Sequence, residues 1–230
     1  LNQPLAAISS YATGSMNLLK DGPHAVADLE VAMRRIAEQA ERAGKVIKSV
    51  HDFVRRRDQA SEPVAPQVLL DAIMPLVSLQ ARKLGVRVET RLAATLPAVL
   101  CDRTMVEQVL LNLARNAMQA MDAAGTLDKS LVIQVRRASS SENSTKGWLE
   151  FSVADRGPGI PSEVAQQLFT PFFTTKAEGM GLGLSLCRTV IEQHGGFLGF
   201  EPHPPQGTIF KFTLPVATPA AAPVPAATPT

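Results

Sequence analysis

Apolar and small residues recur along the first 57 positions at alternating intervals of four and three. Leu1, Leu5, Ile8, Ala12, Ser15 and Leu19 form one seam, and Leu29, Met33, Ile36, Ala40, Ala43, Ile47, Val50 and Val54 form another. That alternation keeps a single stripe of a helix turned toward a partner helix along its whole length. The spacing predicts helices over 1–20 and 25–57. Asp21-Gly22-Pro23 lies between them and breaks the run, because proline cannot continue a helix. The two helices then fold back as an antiparallel hairpin. One hairpin buries little apolar surface, whereas two hairpins from two copies make a four-helix bundle. The alternative is a hairpin packed on its own domain; the unbroken seams favour the homodimer through residues 1–57.

Beyond residue 57 the pattern changes. Residues 58–66, which include Pro63 and Pro66, read as a polar linker. A helix is expected over 67–84, ending at Gly85, with Pro75 inside it predicted to kink or break it. Strands follow at 86–92 and 98–101, then a helix over 103–121 with Asp102 as its N-cap. Further strands are expected at 131–138 and 148–154, separated by a Ser-rich loop over 139–147. Helices at 162–168 and 183–194 precede strands at 197–201 and 207–214. This order predicts an α+β domain over 67–215, a sheet covered by helices on one face. Residues 216–230 are Ala, Pro, Thr and Val without periodicity, and read as a disordered tail.

The charge balance excludes several partners. With 23 Lys and Arg against 21 Asp and Glu, the net charge is +2, so no nucleic acid or anionic membrane is expected to bind electrostatically. No apolar run approaches the ~20 residues that span a bilayer. Cys101 and Cys187 have no metal-ligand spacing and read as buried reduced thiols, which suits a cytoplasmic location. The chain starts at Leu1 without a signal-peptide pattern, as expected of a piece of a longer protein that is soluble or membrane-tethered.

Candidate chemistry lies in the second half. Asn112 and Asn116 are four apart on the 103–121 helix and share a face with Arg115 and Gln119 nearby. Such a stripe offers neutral oxygens to a hard cation such as Mg2+; taken alone it reads rather as a solvated polar face. Asp155-Arg156-Gly157-Pro158-Gly159-Ile160 comes directly after a strand. A carboxylate there accepts a hydrogen bond from a ligand amine while glycines let the backbone come close, or the segment is a simple turn. Phe169-Thr170-Pro171-Phe172-Phe173-Thr174-Thr175-Lys176 comes next, with Lys176 as a phosphate-binding cation and the phenylalanines as lid anchors or core. Gly179-Met180-Gly181-Leu182-Gly183-Leu184 then runs into a helix. A glycine-rich loop there presents backbone N–H groups and a positive helix end to phosphate. Its Gly-x-Gly-x-Gly spacing is neither a dinucleotide fingerprint nor a P-loop. Gly207-Thr208 opens the last strand.

In that order, these motifs resemble the N, G1, F, G2 and G3 boxes of two-component sensor histidine kinases. The resemblance covers about 1–215. The wider group with gyrase, heat-shock protein 90 and MutL shares the Asn, Asp and Gly elements, but lacks the heptad hairpin and Phe-Phe-Thr-Thr-Lys. Leu1-Asn2-Gln3-Pro4-Leu5-Ala6-Ala7-Ile8 resembles the segment just after the phosphoacceptor His-Glu pair in the oxygen-sensing, FixL-like branch. In that pattern the His lies two positions before Leu1 and its Glu one before, so neither is in this chain. His51 matches the family's second helix instead; His24, His194 and His203 fall in a loop, a helix end and a turn, and receive no role.

The resemblance implies a hairpin followed by an α/β sandwich of the histidine kinase, gyrase and heat-shock protein 90 type. It implies that Asp155 binds the adenine amine, that Asn116 with Asn112 holds Mg2+ on ATP, and that Thr208 borders the adenine. Lys176 and the backbone of Gly179, Met180, Gly181, Leu182 and Gly183 are implied to close over the phosphates. Arg115, Gln119, Gly157, Gly159, Ile160, Phe172, Thr175 and Leu184 complete the implied ATP site. Gln119 stands where many relatives have a basic residue, and Gln3 where relatives orient water for phosphatase activity. The implied activity is ATP-dependent autophosphorylation on histidine, then relay to a response-regulator receiver aspartate. A nucleotide-binding dimer without autokinase activity is the alternative for these 230 residues.

Overall fold

The computed structural model describes residues 2–20, 26–55, 61–138, 147–176 and 181–217. They fall into two compact units. One holds helices α1 (Asn2–Leu18) and α2 (Val26–Arg55) with the stretch Thr170–Leu182. The other holds every remaining element.

Within the hairpin α1 packs on α2. Small residues mark the contact: Ser15, Ala32 and Ala43 are buried. The Ser15 hydroxyl donates to the Tyr11 carbonyl at 2.8 Å, so it enters the contact with its polar group satisfied. The seams read from sequence are thereby split. Leu5, Leu19 and Met33 belong to them, yet all three are exposed. The expected turn over 21–25 lies outside the described residues.

The second unit begins with a strand inside the expected linker. β1 (Glu62–Val64) pairs antiparallel with β3 (Val99–Cys101), matching Glu62 to Cys101 and Val64 to Val99. Burial of Val64 and Val99 explains the pairing, which a reading from polar composition passed over. α3 (Pro66–Leu84) then starts with proline in its first turn, where the missing N–H costs nothing. The expected break at Pro75 does not occur; α3 is continuous through it. Pro75 and Asp71, whose carbonyl it deprives of a donor, both sit on the exposed face, so that the carbonyl is not left without a partner in the core.

The main sheet has the order β2-β4-β5-β7-β6, formed by β2 (Arg87–Leu92), β4 (Ser130–Arg137), β5 (Trp148–Ala154), β6 (Leu198–Pro202) and β7 (Thr208–Pro215). β2 and β4 are parallel and the other pairs antiparallel. Register aligns Leu92, Val135, Phe151, Phe212 and Leu198 in one row across all five strands. Phe151 and Phe212 stack with centroids 5.0 Å apart. Fully burying such a side chain contributes roughly 1.5–3 kcal/mol. On this face lies α4 (Arg103–Ala123), between α3 and α6 (Gly183–Gln193). The short α5 (Ser162–Ala165) is one turn where a longer helix was expected.

Asp102 caps α4 as expected, its Oδ1 accepting from the Met105 N–H at 3.0 Å. The chain stays bonded past Pro215. Val216 donates to Gly147 and Ala217 to Ala98, so residues 216 and 217, expected in a disordered tail, are bonded to the second unit. Residues 218–230 and most of the Ser-rich loop (139–146) lie outside the described residues.

Candidate functional site

α4 organises the site. Val106, Val109, Leu110, Leu113, Ala117 and Met121 bury one face of it, which turns Asn112, Asn116 and Gln119 to the half-buried side. Arg115 is exposed. Two glycines meet this side at different levels. At the N-terminal end a Cβ on Gly183 would lie 2.8 Å from Asn112 Nδ2 and 3.0 Å from its Oδ1. At the C-terminal end a Cβ on Gly157 would lie 3.5 Å from the Ala120 Cβ. Asn112 and Ala120 are about 12 Å apart along the helix, at 1.5 Å per residue. Asn116 stands midway, between the start of α6 and the aspartate turn.

The Asn112 amide, expected beside a metal ion, is engaged between helices. Its Nδ2 donates to the Cys187 sulfur at 3.2 Å. Burial pushes the Cys187 thiol up to about 12, with the Asn112 donor working the other way. Cys101 is likewise pushed up to about 12, first by burial and then by the Asp102 charge. Both cysteines are free and buried.

Asp155 comes directly after β5 and is buried at 3% exposure. Its Oδ1 accepts from Gly157 N–H at 2.8 Å and Thr208 N–H at 3.3 Å. Its own N–H donates to the Thr208 carbonyl at 2.9 Å. Burial raises the Asp155 carboxyl above its ordinary range; the Gly157 and Thr208 N–H groups, then His203, pull it back. A buried carboxyl in that position favours an incoming donor that stabilises its charge. Both of these side-chain bonds use Oδ1, and neither uses Oδ2. Thr208 is buried beside it, and Gly159 and Ile160 are half-buried further along the turn. Gly207, at φ 134, admits no side chain: a Cβ would overlap the Asp155 carbonyl.

Asn112, Arg115, Asn116, Gln119, Asp155, Gly157, Gly159, Ile160, Gly183, Leu184 and Thr208 thus share one unit. Phe172, Thr175, Lys176, Gly181 and Leu182 fall in the other. There Phe172 takes φ 68, uncommon for a bulky residue, and its N–H donates to the Gly181 carbonyl at 2.9 Å. The Thr174 hydroxyl accepts from the Lys176 N–H at 3.1 Å. Gly179 and Met180 lie outside the described residues, as does the Gln3 side chain. Sequence reading missed Cys187 as the partner of Asn112, and His203, whose Nδ1 sits 2.7 Å from the Asp155 carbonyl. Neither has a local signal; both depend on which segments the sheet brings together.

The helix, aspartate turn and last strand that make up this site lie within a stretch that matches a known family. Residues 101–218 match the family described as histidine kinase-, DNA gyrase B-, and HSP90-like ATPase. The chain belongs to that family. It is 39% identical over 216 residues to the C4-dicarboxylate transport sensor protein DctS of Rhodobacter capsulatus, covering 94% of this chain and 32% of that protein. It is also 39% identical, over 219 residues, to the sensor protein FixL of Bradyrhizobium diazoefficiens, covering 94% of this chain and 42% of that protein. The chain therefore spans about a third to two fifths of these relatives. Among solved structures, histidine kinase ThkA in complex with the response regulator protein TrrA matches with a TM-score of 0.62 and 25% identity. That match covers 94% of this chain and 58% of that one.

Proposed function

We propose that the chain is the kinase core of a two-component sensor histidine kinase. It binds Mg-ATP and passes the γ-phosphoryl group to a histidine, which in the FixL-like pattern lies two positions ahead of Leu1. From there the group goes to a receiver aspartate of a response regulator. The observation that carries this is the buried Asp155, whose Oδ1 accepts from Gly157 and Thr208, with Gly157 packed on α4 at Ala120, one turn beyond Asn116.

In this reading Asp155 accepts the adenine amine through Oδ2. Thr208 and Gly157 hold its other oxygen, and Gly159 and Ile160 line the base. Asn116 offers one neutral oxygen to Mg2+, a donor type that suits a hard ion retaining waters and phosphate oxygens. Bound Mg2+ supplies charge neutralisation on the triphosphate. Asn112, whose Nδ2 donates to Cys187, offers its Oδ1 to the same ion. The α6 N-terminus, with the glycine-rich run before it, faces phosphate oxygens with its N–H groups; Lys176 adds a cation. Such transfer is mostly positioning and charge stabilisation. Arg115, Gln119, Phe172, Thr175 and Leu184 border the nucleotide, and Gln3 aids dephosphorylation.

The domains are taken as 1–57 for dimerisation and 67–215 for nucleotide, with β1 of the expected 58–66 link and residues 216 and 217 joined to the second. The exposed Leu5, Tyr11, Leu19, Val31 and Met33 of the hairpin support dimerisation. No helix of the described residues is long and apolar enough to cross a membrane, and a cytoplasmic location accompanies the kinase reading. The test is calorimetry: Asp155→Asn should abolish Mg-ATP binding, and unchanged affinity would overturn the adenine assignment.

A further inference from the structure

The turn between β6 and β7 is built around one carbonyl. Asp155 is the first residue beyond β5, so its carbonyl stands where the strand ladder ends. His203 Nδ1 lies 2.7 Å from it. A carbonyl oxygen can only accept, so Nδ1 carries the hydrogen in either charge state of the ring. The imidazole thereby donates to a carbonyl at the point where strand pairing stops, in a setting where an unmade bond is costly.

Other contacts strap the same two segments. The His203 N–H donates to the Gly207 carbonyl at 3.1 Å, closing the turn. Gly207 lies flat against the Asp155 carbonyl, leaving no room for a side chain. Arg156 Nη1 donates to the Pro204 carbonyl at 3.1 Å. The Asp155 backbone is thus held on both sides of its Cα, through its N–H by Thr208 and through its carbonyl by His203. The Asp155 carboxyl projects from that Cα, so the two flanking peptides set its direction.

We propose that His203 is a positioning residue for adenine recognition, fixing through the Asp155 carbonyl the peptide that aims the Asp155 carboxylate at the base. This rests on the reading of Asp155 as acceptor of the adenine amine. His203 holds the acceptor at its post and makes no contact with the chemistry of transfer.

The experiment compares two nucleotides on the full chain by calorimetry with Mg2+ present: ATP, and purine riboside triphosphate, which lacks the exocyclic amine. Wild type should prefer ATP. His203→Phe keeps a ring and removes the donor. It should lower the preference about fivefold, the order expected of one net hydrogen bond, with purine riboside triphosphate affinity unchanged. His203→Asn, whose amide donates, should restore part of the preference. Equal weakening of both nucleotides by His203→Phe would assign His203 a merely structural role and overturn the proposal, as would an unchanged preference. A wild type without preference would instead remove the adenine reading of Asp155, and this inference with it.

Discussion

The helical hairpin and the sandwich solve the burial problem differently. In the sandwich, Phe151, Phe212, Leu110, Leu113, Ile133 and Leu149 are wholly buried. Among described hairpin residues the buried ones are small, Ser15, Ala32 and Ala43, while Leu5, Met16, Leu19, Val31 and Met33 stay exposed. The sandwich carries its own core. Those exposed apolar side chains lie outside the hairpin's internal contact, while Ile8, Leu18, Leu29 and Ile36 are half-buried, which suits a helix pair that completes its core against a second copy.

The largest effect should come from the sandwich core. Phe212→Ala deletes a stacked, fully buried ring and should cost about 3–5 kcal/mol in chemical denaturation of this unit. A loss under ~1 kcal/mol would mean that the core does not depend on this row. The hairpin should respond differently. Met33→Glu places a charge on the exposed stripe, and by sedimentation the proposed dimer should weaken at least about tenfold, ~1.4 kcal/mol. The melting of the sandwich should not move. Unaltered association would break the contrast by showing that the exposed stripe is not the contact.

The smallest effect tests the cost of the buried aspartate within the self-sufficient unit. Burial holds the Asp155 carboxyl above its ordinary 3.8 in the folded state. Below that value both folded and unfolded chains are protonated, and Asp155 contributes nothing. As pH rises from 3.8 through the raised folded value, the unfolded chain ionises first, so stability is lost; above it the loss is complete. Asp155→Asn removes this penalty. Its melting temperature relative to wild type, without nucleotide, should therefore climb from near pH 4 and then level off. A difference that ignores pH would show that the carboxyl is not held up by burial.

Much of this fold was legible in the sequence because it is written in local patterns. The Trp148–Ala154 strand matches its apolar alternation, and α4 begins after Asp102 because a carboxylate caps free N–H groups. Elements whose signal is not local were missed. β1 is three residues long and exists because Val64 pairs with Val99. The continuity of α3 through Pro75 depends on which face is exposed, which composition does not report.

The site divides in the same way. The order of Asn116, Asp155, Gly183 and Thr208 and the family they point to come from the sequence, because phosphate, amine and metal chemistry demand particular residue types at particular spacings. Tertiary structure alone decided which Asn faces what. Asn112 and Asn116 are equivalent by helical period, yet Cys187 and Gly183 engage Asn112 between α4 and α6. It also decided that His203, 48 residues from Asp155, grips its carbonyl. Such contacts arise from helix packing and sheet register, which bring distant segments within hydrogen-bond reach and leave no trace in the spacing along the chain.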